Sequence, residues 1–96
     1  MLHTLHSSPF NDAALTNCLR YAQPQSEILL LEDGVIAAIA NSLWQQRIKN
    51  TGLKVYALKE DLEARGLLEQ AASDIKVIDI KGFVLLTERH NTQLKW

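Results

Sequence analysis

Ile28-Leu29-Leu30-Leu31 is an unbroken aliphatic run with no apolar–polar alternation. A strand that faces water on one side alternates, so such a run marks a strand covered on both faces. Glu32-Asp33-Gly34 punctuates it. A second covered strand, Leu53–Leu58, runs almost directly into a short helix over Asp61–Arg65, with Gly66 as its closing residue. Covered strands followed by helical segments point to a parallel sheet with helices on both faces.

The rest of the chain fits that alternation. Met1–Leu5 reads as an opening strand that starts at the first residue, with no N-terminal tail. His6-Ser7-Ser8-Pro9-Phe10-Asn11 is a loop, because proline stops the strand. Asn11 or Asp12 can cap a helix over Ala13–Ala22, whose apolar positions Ala14, Leu15, Cys18, Leu19 and Ala22 have helical spacing. The first covered strand spans Glu27–Leu31. Val35–Ala40 looks like a helix start interrupted near Asn41-Ser42. Leu43, Trp44, Arg47 and Ile48 form a second helical stripe, stopped by Asn50-Thr51-Gly52. Leu67–Ser73 is ambiguous. Ile75–Ile80 reads as a strand, Gly82–His90 as a helix apolar at Phe83, Val84, Leu85 and Leu86, and Gln93–Trp96 as a last short strand.

Ninety-six residues make a single domain over 1–96. The chain is 47% hydrophobic but only 6% aromatic, so its core is aliphatic. A small domain this aliphatic has surface to bury against a partner. A net charge of −1 from 10 basic and 11 acidic side chains argues against direct nucleic-acid binding, which needs a clustered basic excess. One cysteine excludes an internal disulfide and a cysteine-based zinc site, and fits a reducing compartment. The longest apolar candidate, Gly34–Ala40, is far too short to span a membrane, and no signal peptide opens the chain. These features describe a soluble intracellular domain with no membrane partner.

Several residues invite a chemical role. Cys18 is the only thiol, but its place on the apolar stripe favours burial over reactivity. Glu32, Asp33, Glu60 and Asp61 each follow a covered strand. They would hold Mg²⁺ and a phosphate for phosphoryl transfer if the strands are neighbours, or simply favour the dipoles of the following helices. No glycine-rich phosphate loop accompanies them. His3, His6 and His90 number enough for a metal but lack ligand spacing. Ser7 and Ser8 would meet an anion at a helix N-terminus or serve as turn residues. Trp44 and Trp96 are interface anchors or packing residues.

Four segments in order resemble the TusB/DsrH family of sulfur-relay proteins: Met1–Phe10, Leu29–Ala38, Lys54–Leu67, and a tail with Asp74-Ile75, Ile78-Asp79, Phe83-Val84, Leu86-Thr87, His90 and Trp96. The resemblance covers nearly the whole chain. It implies a three-layer α/β/α fold with a parallel sheet of about five strands in the order 4-3-2-1-5. It also implies a cytoplasmic heterohexamer holding two copies each of this chain and its TusC and TusD homologues. That complex relays persulfide sulfur from TusA, with TusE, toward a tRNA thiouridylase that forms 2-thiouridine at the wobble position. DsrEFH-type relatives serve sulfur oxidation instead. The family's persulfide cysteine belongs to the TusD/DsrE-type subunit, near the end of its third strand. That position falls at about Leu58, so the resemblance implies a non-catalytic subunit with no catalytic, cofactor or metal residue of its own. Lys59 would sit near a partner's thiolate.

Overall fold

A computed structural model describes residues Met1–Trp96. The aliphatic run forms β2, Glu27–Leu30, where Ile28, Leu29 and Leu30 are all fully buried. It is the middle strand of a five-stranded parallel sheet. Its companions are β1 (Leu2–Leu5), β3 (Lys54–Leu58), β4 (Lys76–Ile78) and β5 (Gln93–Lys95), in the order β4-β3-β2-β1-β5. The helices are α1 (Ala14–Tyr21), α2 (Leu43–Thr51), α3 (Lys59–Ala64) and α4 (Ile80–Arg89). The architecture is the three-layer α/β/α sandwich that the resemblance implies, with the same strand order.

Handedness distributes the layers. From β1 to β4 each strand is laid beside its predecessor in one direction, and right-handed crossovers place the connecting helices on one face. Leu15 and Cys18 of α1, Ile48 of α2 and Leu62 of α3 accordingly share a core with Leu5, Ile28, Leu30, Val55 and Ala57. The chain then doubles back across the sheet to β5, beside β1. The same handedness puts α4 on the opposite face, where Leu86 packs on Leu2, Leu29, Tyr56 and Leu58. Alternate residues of β1 to β4 therefore serve two different cores.

Some boundaries differ from the sequence expectation, each for a local reason. Instead of a helix starting at Val35, a 3₁₀ segment spans Glu32–Ala38, entered through Glu32 at φ 52°. Gly34 there lies against the Leu5 carbonyl, with no room for a side chain. The ambiguous stretch after Gly66 holds a short 3₁₀ turn, Leu68–Gln70, followed by an isolated antiparallel bridge between Ala71 and Ile39. β3 passes into α3 with no loop, so the helix begins at Lys59 rather than Asp61. β4 ends at Ile78 because the Asp79 side chain accepts a hydrogen bond from Gly82 N at 2.9 Å, capping α4 and starting it at Ile80. α1 ends before Ala22, whose backbone is extended.

Gly34→Ala tests the close approach of the 3₁₀ segment to β1. A Cβ at this position collides with the Leu5 carbonyl, so the substitution should cost about 1–3 kcal/mol. The drop should appear in the urea midpoint without a change in slope. An unchanged midpoint would mean that the segment is free to shift away from β1.

Candidate functional site

Parallel α/β sheets place chemistry at the carboxyl ends of their strands. Here β2 and β3 are direct neighbours, so the two acidic pairs do meet across one crest. The chain's own donors occupy one carboxylate of each pair, Asp33 and Asp61. Glu32 N donates to Asp61 Oδ2 at 2.6 Å. Arg65 Nε donates to Asp33 Oδ1 at 2.9 Å, and Arg65 Nη1 lies 3.8 Å from Asp61 Oδ1. A guanidinium thus sits between the two carboxylates a cation would have to bridge, while Glu60 points to solvent. No group of three His, Cys, Asp or Glu side chains is arranged to hold a metal ion. The Mg²⁺ constellation of Glu32, Asp33, Glu60 and Asp61 is therefore corrected: Asp33, Asp61, Arg65 and the Glu32 N–H form a structural clasp joining the 3₁₀ segment to α3, and Glu60 takes no part in it.

The three histidines stay apart, because β1 and the end of α4 send them to different places. His3 is buried on the α1 side, where its Nδ1 accepts a hydrogen bond from Trp96 Nε1 at 3.0 Å and Tyr21 meets it edge-on. Burial, helped by the N-terminal ammonium, pushes its pKa below the usual histidine value. His6 lies beyond the end of β1, 3.2 Å from Thr4 Oγ1 and 3.4 Å from Glu32 Oε1. His90 Nε2 stands 2.7 Å from Glu27 Oε1. Ser8 is a turn residue: its Oγ accepts from Phe10 N at 3.2 Å. Trp96 packs with His3 and Tyr21, and Trp44 packs on the larger core with Phe10 against its ring edge.

Cys18 is fully buried, and burial pushes its thiol up to about 12. No cation or helix N-terminus draws it down, so a thiolate does not form there near neutral pH. Leu58, the last residue of β3, is buried under α4 and also holds the position before the first residue of α3. Lys59 beside it is exposed.

The best-formed polar cluster lies at the opposite end of the strands, and the sequence reading missed it. Glu27, the first residue of β2, shares a sheet face with Tyr56 and the end of α4. Its carboxylate accepts from Tyr56 Oη at 2.7 Å, Arg89 Nη2 at 2.5 Å and His90 Nε2 at 2.7 Å. Burial pushes Glu27 up, but the hydrogen bonds from Tyr56, His90 and Arg89 and the Arg89 charge outweigh it and hold the carboxyl below its ordinary range. Tyr56 is raised, first by burial and then by the carboxylate it donates to. The cluster fastens the C-terminal end of α4 to β2 and β3. Its only trace in the sequence is Glu27 in phase with Leu29 and Leu31, two residues apart on a covered strand.

α4 itself is half covered. Of its expected apolar positions only Leu86 is buried; Val84 (47%) and Leu85 (66%) are exposed, together with Ile80. Beside them a groove of about 190 Å³ runs between β4 and α4, bordered by Ile78, Leu85, Lys76 and Arg89. No helix of the structure is long and apolar enough to cross a membrane.

These features define a small α/β/α domain with a sealed thiol, a strand-end crest clasped by Arg65 and an uncovered aliphatic helix. The family model described as DsrH like protein matches residues 7–93, and the chain belongs to the TusB/DsrH family of sulfur-relay proteins. It is 49% identical over 98 residues to Protein TusB of Escherichia fergusonii, and 48% identical over 98 residues to Protein TusB of Shigella dysenteriae, each match covering the whole of both chains. Among solved structures, the crystal structure of the ychN protein from E. coli superposes with a TM-score of 0.82 over 99% of this chain and 97% of that one, at 16% identity. The solution structure of Tm0979 from Thermotoga maritima gives a TM-score of 0.69 at 27% identity, over 96% and 97%. The first of these likenesses speaks for the fold alone.

Two measurements probe this chemistry. The folded pKa of Glu27 lies below its ordinary 4.5, so its contribution to stability is present above that pH and is lost as the pH falls through the lowered value. Glu27→Gln should cost about 2 kcal/mol at about pH 7 and flatten the decline in urea midpoint toward about pH 3. Parallel pH curves for variant and wild type would contradict the assignment. Cys18 should resist iodoacetamide in the native protein at about pH 8 and react only as fast as the chain unfolds. Rapid native alkylation would show the thiol to be accessible.

Proposed function

We propose that this chain is a non-catalytic subunit of a TusBCD-type sulfurtransferase complex. In this reading it assembles with TusC and TusD homologues, two copies of each. The assembly relays persulfide sulfur from TusA toward TusE and a tRNA thiouridylase, for 2-thiouridine at the tRNA wobble position. The observation that carries the proposal is the full-length identity of about one residue in two to proteins named TusB.

Physical chemistry supports the division of labour. A persulfide carrier needs an accessible thiol of low pKa. Cys18 is sealed in the core, and Leu58 fills the strand-end position with a side chain that cannot bear sulfur. The sulfur chemistry then belongs to a sister subunit, and this chain contributes surface. Exposed Ile80, Val84 and Leu85 give α4 an apolar outer strip of the kind that interfaces cover, with Leu85 beside the cations Lys76 and Arg89. The Glu27 cluster holds that strip in place by fixing the end of α4.

Co-expression with the TusC and TusD homologues, followed by size-exclusion chromatography with light scattering, tests the proposal. A stable complex with two copies of each subunit is expected. Leu85→Asp with Val84→Asp should abolish assembly while leaving the melting temperature of the isolated chain nearly unchanged, because both side chains are solvent-exposed. Cys18→Ser should still support thiolation in the assembled complex. A chain that remains monomeric beside both homologues would refute the proposal.

A further inference from the structure

α1 and α2 carry cations and no carboxylates. None of the 11 acidic residues falls within Ala14–Tyr21 or Leu43–Thr51, whereas these helices contain Arg20, Arg47 and Lys49. Between the two helices lies an open cavity of about 390 Å³, lined by Thr16, Leu19, Arg20, Arg47 and Asn50. The chain has four arginines. Arg65 and Arg89 are paired with carboxylates, while Arg20 and Arg47, the two lining this cavity, form no ion pair.

The cavity's polar lining is biased toward donors. Arg47 has its guanidinium carbon 5.1 Å from the centre of the Trp44 ring, a cation–π contact that restricts the side chain without using its N–H groups. Asn50 Oδ1 accepts from Gln46 Nε2 at 3.0 Å, which fixes the amide, and no partner within the chain engages its N–H groups, which are left to donate. Arg20 adds a second guanidinium, and Thr16 a hydroxyl. Two guanidinium groups, an amide and a hydroxyl around one cavity match a group that only accepts and carries two negative charges.

We propose that the α1–α2 cavity is a binding site for a phosphate group, held between Arg20 and Arg47 and oriented by Asn50 and Thr16. Its volume falls within the range of small-molecule pockets, about 300–1,000 Å³, so a small phosphate ester fits as well as inorganic phosphate. The site lies on the helix layer, away from the acidic crest of Glu32, Asp33 and Asp61. Trp44, fixed under Arg47, makes it optically visible.

NMR titration of the full-length, nitrogen-15-labelled chain tests the proposal at constant ionic strength, with inorganic phosphate in one arm, adenosine monophosphate in another and chloride as control. Saturable shifts of the Arg20 and Arg47 Nε–H and Asn50 amide signals are expected with phosphate and absent with chloride. Arg20→Gln and Arg47→Gln should each weaken binding about tenfold while leaving the backbone spectrum elsewhere unchanged. Tighter binding of the nucleotide than of the free ion identifies an ester as the ligand; equal binding identifies the free anion. Shifts that rise linearly without saturating, that chloride reproduces, or that survive both substitutions would overturn the site.

Discussion

Right-handed crossover between parallel strands is the constraint on which this molecule depends. A parallel pair cannot be joined by a hairpin, so each connection must cross a face of the sheet, and chirality decides which face. Three connections laid in one direction put α1, α2 and α3 together. The single reversal between β4 and β5 sends α4 to the other side alone. Much of the surface chemistry follows. The three-helix face encloses a closed aliphatic core, and Cys18 disappears into it. On the one-helix face no further element packs over the outer side of α4, so Ile80, Val84 and Leu85 remain uncovered.

The two ends of the sheet use charge differently. At the carboxyl ends, where related architectures hold ligands, the carboxylates of Asp33 and Asp61 are engaged by Arg65 and by a backbone N–H. The crest has become part of the scaffold. At the amino ends, Glu27 gathers Tyr56, Arg89 and His90 around one buried carboxylate. A buried charge is retained only where several donors replace the water it has lost. That requirement explains why elements distant in sequence converge there. The cluster pins α4 at its end and so holds the uncovered side chains Ile80, Val84 and Leu85 on a fixed element.

Local pattern made the fold legible. The unbroken run Ile28–Leu31 requires cover on both faces, the stripe of Leu15, Cys18 and Leu19 requires one buried helix face, and Gly52 and Gly66 sit at positive φ just beyond α2 and α3. Each of these depends on a few neighbouring residues. The candidate site was harder to read because its contacts join residues about thirty or more positions apart, as Asp61 does with Glu32, Arg65 with Asp33, and Arg89 with Glu27. Composition shows that acids and arginines exist; it does not show which acid meets which arginine. Strand-end position alone suggests a metal constellation; Arg65, between Asp33 and Asp61, is what occupies the place of the cation.

The alternation of strand and helix, the aliphatic core, the burial of Cys18 and the lack of a thiol at Leu58 are legible in the residues as written. All of these follow from residue identity and short-range periodicity. That α4 stands alone with half its apolar stripe uncovered, that Glu27 is a buried hub, and that Arg20 and Arg47 line one cavity emerges on folding. Those properties depend on strand register and crossover direction, which bring residues together across the sheet and which no local pattern encodes.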